Sequence, residues 1–368
     1  MKVPYNYLGQ QFADVEPYFD DLRELVKSGD FTLGAYVDKF EKKFAQYIGV
    51  KHVISTNTGT DALIHALRAV GVQPGDEVIT AANSFYASAG AAAAIYAKPR
   101  FCDVDARMQM CPKSLAKNIT KKTKAIIPVH WAGCPPELDE ILKVANDAGI
   151  PVVEDACPST GATYKGKKAG TFGKVNAFSM HPLKPLNVWG DGGMIVTNDD
   201  DAANWLRCFR NHGMVDRDHI TMWGVNSRLQ PVQAVVATRV LDSMEDLIEA
   251  RIRNAARLDE GLRTLAPNVK IMERKPYTRE VYQLYIARVT NRDALVRFLH
   301  DHGVDAKIHY PVPLHLQKPG RDDGYKEGDF PETEAQAKEI ITLPSHQHCT
   351  VEQMDYTVDM IAKFYRNH

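Results

Sequence analysis

Lys184 ends the run Ser179-Met180-His181-Pro182-Leu183-Lys184, and the glycine-dense Gly190-Asp191-Gly192-Gly193 follows it closely. An amine held between an apolar strand and a Gly-rich turn can be desolvated, which lowers its pKa and makes it a nucleophile toward carbonyls. Most lysines are solvated surface charges, so this one needs company before it means chemistry. Company is present. Thr58-Gly59-Thr60 directly precedes Asp61-Ala62-Leu63-Ile64-His65-Ala66-Leu67, a helix pattern with Ala62, Leu63, Ala66 and Leu67 on its buried side. Gly59 and Thr60 then lie at a helix N-terminus, where free N–H groups and the positive dipole end bind phosphate. Thr60 taken alone fits a plain N-cap as well. Ser179, after the strand candidate 175–178, offers a further hydroxyl.

Asp155 ends the apolar run Pro151-Val152-Val153-Glu154-Asp155. Its carboxylate either caps the next turn or keeps a proton on a ring nitrogen. Phe85 follows the strand candidate 76–80 and is either core or a ring that stacks on a flat ligand. An amine, a phosphate cup, a carboxylate and an aromatic wall are the parts that pyridoxal 5′-phosphate asks of a protein.

The elements that must position these residues read as α/β. Short apolar runs at 76–80, 124–130, 151–155 and 194–197 alternate with helical patterns and predict a mainly parallel sheet covered by helices. Ligands of such sheets gather at the carboxyl ends of strands, which is where Asp155 falls. A long helical pattern over 230–265 reads as a bridge to a smaller C-terminal α+β domain. That domain is expected to hold strands at 281–289 and 304–310 and a helix at 291–302, with Asn291 as N-cap and Gly303 past its end. A last helix starts at Thr350 with Gln353 completing a capping box, and Val351, Met354, Val358, Ile361 and Tyr365 form its apolar stripe. The boundary is set near residue 245, giving domains 1–245 and 246–368, with the N-terminal segment free to pack on the second.

Composition narrows the partners. The chain has 368 residues, 44% hydrophobic and 25% charged, which suits a globular enzyme of two domains. A formal net charge of −1 argues against nucleic acid or an anionic membrane surface. No apolar stretch approaches a membrane span, and Met1-Lys2-Val3-Pro4-Tyr5 lacks a signal-peptide core. The six cysteines are scattered without a C-x-x-C pair, a pattern of reduced thiols in a cytoplasm. No metal cluster is evident; His346-x-His348 reads as a surface pair. Gly161-Ala162-Thr163-Tyr164-Lys165-Gly166-Lys167-Lys168 resembles a nucleotide-binding P-loop but lacks its Ser/Thr and the following helix, so it reads as a basic hairpin.

Taken together, the chain resembles the DegT/DnrJ/EryC1/StrS family of sugar aminotransferases. The matching segments run in order from Phe31-Thr32-Leu33-Gly34 and Phe40-Glu41 through Gly59-Thr60-Asp61-Ala62-Leu63 and Pro74-Gly75-Asp76-Glu77-Val78. Glu154-Asp155-Ala156, Ser179 to Lys184, Gly190 to Gly193 and Gly224-Val225-Asn226-Ser227-Arg228 continue the series. His309-Tyr310-Pro311-Val312-Pro313-Leu314-His315-Leu316-Gln317 and Leu343-Pro344 complete it.

The resemblance implies an aspartate-aminotransferase-like, fold-type I architecture and pyridoxal 5′-phosphate as cofactor. It makes Lys184 the Schiff-base lysine and proton shuttle, Asp155 the partner of the pyridine nitrogen, and Phe85 the stacking ring. Gly59, Thr60 and Ser179 become phosphate ligands. Asn226 matches an asparagine that reaches the phosphate of the neighbouring subunit's cofactor, which implies a homodimer with shared active sites. His309, Tyr310 and His315 match the segment that approaches the substrate. That substrate is expected to be a keto-sugar carrying a nucleotide and aminated at C3 or C4, with L-glutamate as donor. Lys165, Lys167 and Lys168 are either a diphosphate contact or a solvated turn.

One position departs from the pattern. The family commonly has glutamine three residues after the aspartate, and here that residue is Pro158, which offers no side-chain hydrogen bond. The competing readings are a sugar dehydratase, a cyclitol (inosose) aminotransferase and a non-catalytic regulator. Dehydratase relatives replace the lysine with histidine, and a regulator is expected to lose Lys184 or Asp155; this chain keeps both.

Overall fold

The computed structural model describes residues 1–367. Its large sheet is assembled from β1 (His52–Thr56), β2 (Glu77–Ala81), β3 (Lys98–Cys102) and β4 (Thr123–Ile127). After the short hairpin strands β5 (Thr163–Tyr164) and β6 (Lys167–Lys168), β7 (Asn176–Ser179) and β8 (Gly193–Thr197) complete it. β2 pairs in parallel with both β3 and β4, and β8 runs antiparallel between β1 and β7. The expected strand 151–155 is not a continuous ladder. It is an extended segment that makes parallel bridges from Val152 to Ile126 and from Asp155 to both Val129 and Ala177. Those bridges join the two halves of the sheet, with β8 as its one reversed strand.

Hydrophobic burial explains the layering. β2 is buried along its whole length, as a strand covered on both faces must be. The helix Gly59–Ala69 packs Ala62, Leu63, Ala66 and Leu67 fully into the core, the four positions its period marks. Its cap is Thr58, whose hydroxyl accepts from the Asp61 N–H at 2.9 Å, so Thr60 lies inside the first turn and is not the N-cap.

The helical stretch 230–265 is two helices, Pro231–Asp242 and Met244–Arg263, broken at Ser243. Serine competes for backbone hydrogen bonds and favours helix ends, and Glu245 and Asp246 suit the first turn of a new helix. Beyond the break, β9 (Val269–Ile271), β10 (Thr278–Arg279), β11 (Tyr285–Val289) and β12 (Ile340–Leu343) follow. β12, β11 and β9 form an antiparallel sheet, and β10 extends the β5–β6 hairpin. Helices Arg292–Asp301 and Val351–Asn367 pack here around Leu258, Tyr285, Leu299 and Phe364. Val3 joins this cluster and pairs with Val304.

Several C-terminal expectations shift. The strand at 281–289 is only Tyr285–Val289, and 304–310 forms no continuous strand, with isolated bridges at Val304 and Lys307. Asn291 precedes its helix in a left-handed conformation (φ 52°), and its side chain makes no cap bond. The Thr350–Gln353 box does close, each backbone N–H donating to the other side chain at 3.0 and 3.3 Å. Val351 is exposed outside the stripe, and Phe364 is buried within it. Among the described residues, no helix is long and apolar enough to cross a membrane.

Candidate active site

A cavity of about 430 Å³ opens where the carboxyl ends of the sheet strands converge. Gly59 and Thr60 follow β1, Phe85 follows β2, Val129 follows β4, and Ser179 is the last residue of β7; all line it, together with Asp155 and Lys184. Residues scattered over 126 positions thus meet because strands of one sheet end at one rim.

The end of the cavity at the helix Gly59–Ala69 is built for an anion. Within the chain, no acceptor takes the Gly59 or Thr60 amide among the described residues. The Ser179 hydroxyl oxygen accepts from the His181 N–H at 3.2 Å, which leaves its own proton free to donate. A Cβ on Gly59 would stand 2.6 Å from Ser179 Cβ, so only glycine lets the helix end approach β7 this closely.

Asp155 and Lys184 border the same cavity. Asp155 is 4% exposed; its Oδ2 accepts from Ser88 Oγ at 2.7 Å and its Oδ1 from the Cys157 N–H at 3.2 Å. These bonds fix the carboxylate's orientation without neutralising it. Lys184 is held by its backbone, whose N–H donates to His181 O at 2.8 Å and whose carbonyl accepts from Tyr7 O–H at 3.4 Å. Among the described residues nothing hydrogen-bonds or ion-pairs with its Nζ. Burial and then the Lys184 ammonium push the His309 imidazole down to about 4, and the same two causes lower His181. Both rings are therefore neutral near pH 7. The Cys157 thiol is pushed well up by burial and by Asp155, so it is no nucleophile.

His309 and Tyr310 also line the cavity. His309 Nδ1 is 3.0 Å from Thr342 Oγ1, and the Tyr310 ring packs 5.6 Å from Trp131 and 6.1 Å from Phe85. Phe85 is 43% exposed and borders the cavity as an open aromatic face.

Other expected residues lie elsewhere. His315 is wholly buried away from the cavity, with Nε2 2.9 Å from Glu334 Oε1 and its ring against Phe330; it clamps the fold and lines no substrate space. Asn226 is exposed on the segment after Trp223 and does not line its own chain's cavity. The hairpin lysines are occupied: Lys165 pairs with Asp139, Lys168 with Glu245 at 3.1 Å, and Lys167 covers the Phe172 ring at 4.5 Å. None of the three lines the cavity. His346 is buried, with Nε2 3.0 Å from Pro4 O, so it is not a surface residue.

The sequence reading missed Tyr5, Trp131 and Gln283 in the wall. Trp131 follows a strand as Phe85 does, so the same strand-end logic would have found it. Tyr5 and Gln283 come from distant segments that carry no local signal.

The model of the DegT/DnrJ/EryC1/StrS aminotransferase family matches residues 14–362. The chain belongs to this family. It is 39% identical over 373 residues to the pleiotropic regulatory protein of Geobacillus stearothermophilus, covering all of both chains. It is 38% identical over 343 residues to the UDP-2-acetamido-2-deoxy-3-oxo-D-glucuronate aminotransferase of Pseudomonas aeruginosa, covering 93% of this chain and 94% of that one. Among solved structures, S. venezuelae DesV in complex with a ketimine intermediate superposes at TM-score 0.96 with 33% identity, over 99% of this chain and 98% of that one. The protein is an aminotransferase of the fold shared by these enzymes, and its cofactor is pyridoxal 5′-phosphate. The cavity fits that group: free amides that can seat an anion, a carboxylate fixed by two hydrogen bonds, and an amine without an ion-pair partner among the described residues.

Proposed function

We propose that this aminotransferase transfers the amino group of L-glutamate to a keto-sugar carried on a nucleoside diphosphate, at C3 or C4. The observation that carries this reading is the single cavity in which Lys184 and Asp155 meet the open N-terminus of the helix Gly59–Ala69. The Pseudomonas relative, whose name specifies a UDP-linked 3-oxo sugar, supports the substrate class and favours C3.

Pyridoxal 5′-phosphate, when bound, supplies an aldehyde and an electron-withdrawing ring that spreads carbanion charge. In this reading the Gly59 and Thr60 amides and the Ser179 hydroxyl hold its phosphate, and Phe85 covers one ring face. The Asp155 carboxylate keeps a proton on the ring nitrogen. The Lys184 amine would hold the cofactor's aldehyde and, when free, would move the proton from the donor's α-carbon to the cofactor and, in the second half-reaction, from the cofactor to the sugar carbon. With the hairpin lysines engaged elsewhere, His309 and Tyr310 are the substrate-facing groups of this chain. Pro158 borders the cavity and contributes no hydrogen bond there.

We further infer a cytoplasmic homodimer in which Asn226 reaches the partner's phosphate, and two domains dividing near residue 245. Trp223 (89% exposed), Val225 and Tyr86 are exposed apolar side chains of the kind a subunit interface covers. Mixing Lys184→Ala with Asn226→Ala subunits creates one doubly damaged and one intact site per mixed dimer. Activity should therefore partly recover, and no recovery despite proven subunit exchange rules out sharing.

The substrate is tested by comparing kcat/KM for a UDP-linked 3-keto sugar with the same sugar lacking its nucleotide, using labelled glutamate and mass spectrometry. A nucleotide-linked preference of at least about 10-fold is expected, the worth of one charge-assisted contact. Equal efficiency on the free sugar, or on an inosose, would assign a free cyclic ketone instead. The regulatory name of the Geobacillus relative raises a non-catalytic reading, which the paired presence of Lys184 and Asp155 disfavours.

A further inference from the structure

Arg251 is the least explained charge in the molecule. It projects from the helix Met244–Arg263, is 2% exposed, and among the described residues makes no ion pair. Nη1 donates to Tyr282 O at 3.0 Å, while Nε and Nη2 are buried without any partner. The guanidinium also lies 5.2 Å from the centre of the Tyr7 ring, a contact that softens its isolation without neutralising it. A buried, uncompensated cation is costly, and a protein that keeps one commonly supplies its counter-charge from a ligand.

The surroundings point to where that ligand comes from. Arg251 lines a small void of about 10 Å³, alongside Tyr7, Ser345 and His346. Tyr5, Leu183, Gln283 and Leu284 line both this void and the main cavity. Leu183 immediately precedes Lys184, and Tyr7, beneath the guanidinium, donates to the Lys184 carbonyl. The void has room for about one water-sized atom. It can therefore receive the oxygen end of a carboxylate whose carbon chain lies in the main cavity. A carboxylate attached directly to the reacting carbon would stay beside Lys184. A cation in the adjoining void suits a carboxylate several bonds away.

We propose that Arg251 seats the distal carboxylate of a dicarboxylic amino donor, of which L-glutamate is the type, through its free Nε and Nη2. The inference rests on the aminotransferase reading and deepens it: it assigns the donor's side-chain charge to a residue outside the cofactor's own cavity. Nε–H and Nη2–H can both donate to the one carboxylate oxygen that this void admits, a fork of donors that guanidinium offers and ammonium does not.

The test compares L-glutamate with the isosteric, neutral L-glutamine as donors to the cofactor-loaded enzyme, following the donor half-reaction alone. The wild type should favour glutamate in kcat/KM by at least about 10-fold, the worth of one charge-assisted pair. Arg251→Gln should erase that preference while leaving glutamine turnover and the sugar half-reaction within about two-fold. Glutarate binding, read by calorimetry, should weaken by a similar factor in the variant. Equal use of the two donors by the wild type, or an unchanged preference in folded Arg251→Gln, overturns the assignment. Should the variant not fold, a wild-type crystal grown with glutarate decides: a carboxylate on Arg251 supports the assignment, and glutarate seated elsewhere overturns it. Absence of amine transfer from any amino acid would overturn the aminotransferase reading itself, a result distinct from loss of selectivity.

Discussion

Lys184 and the lysines of the β5–β6 hairpin are the same side chain in opposite settings. Lys165 and Lys168 face carboxylates, Asp139 and Glu245, and Lys167 lies over the Phe172 ring. Lys184 faces a cavity, with no carboxylate at ion-pair distance among the described residues. The adjacent carboxylates Glu154 and Asp155 differ in the same way. Glu154 is wholly buried and accepts from the Gly170, Phe172 and Gly173 amides, with His130 Nε2 at 2.8 Å. Asp155, one residue on and pointing to the other face of an extended segment, borders the cavity. What a charged group can do depends on whether the fold has already used its bonding capacity.

Substitutions can break this contrast, and the largest effect should fall on Lys184. Lys184→Ala should lower turnover by at least about 10³-fold, within the range for a positioned acid–base group, while circular dichroism and melting temperature stay near wild type. Near-normal turnover would place Lys184 with the hairpin lysines. Asp155→Asn should reduce kcat by about 10²-fold, with a smaller change in cofactor affinity, because its charge acts mainly in the transition state. Weak binding with normal saturated turnover would make Asp155 structural, like its neighbour.

Glu154→Gln should show the reverse pattern, destabilising the fold by about 3–5 kcal/mol because buried donors lose their charged acceptor, with kcat of the folded fraction close to wild type. Burial alone would raise the Glu154 carboxyl, but its bonds to His130 and the amides hold it below the ordinary value. A depressed carboxyl adds stability above its unfolded pKa of 4.5, lost as pH falls through the folded value. The acid limb of thermal stability below about pH 4.5 should therefore flatten in the variant. An unchanged limb would mean that Glu154 does not carry that dependence. Replacing Lys165 and Lys167 together by alanine should have the smallest effect, under about two-fold in kcat/KM and within about 1 kcal/mol in stability, as expected of exposed pairs. A selective rise in KM for a nucleotide-linked sugar would restore the hairpin as a diphosphate contact.

Much of this was legible from local pattern. The helix after Thr58, the strand-end position of Ser179, and Lys184 before its Gly-rich turn all rest on periodicity and turn chemistry, which neighbouring residues determine. The Thr350 capping box was readable for the same reason. The break at Ser243 was harder, because an apolar period continues across it and only the capping preference of serine marks the stop.

The sequence by itself determined the parts: an amine, a carboxylate, a helix end with free amides and the α/β alternation that brings them to one sheet edge. The tertiary structure alone decided which charges stay free. It buried His315 against Glu334, engaged the hairpin lysines, brought Tyr5 and Gln283 from remote segments into the wall, and left Arg251 enclosed without a counter-ion. The physical reason is range. Periodicity and capping act over a few residues, whereas pairing and desolvation depend on contacts that the chain makes only after it has folded back on itself.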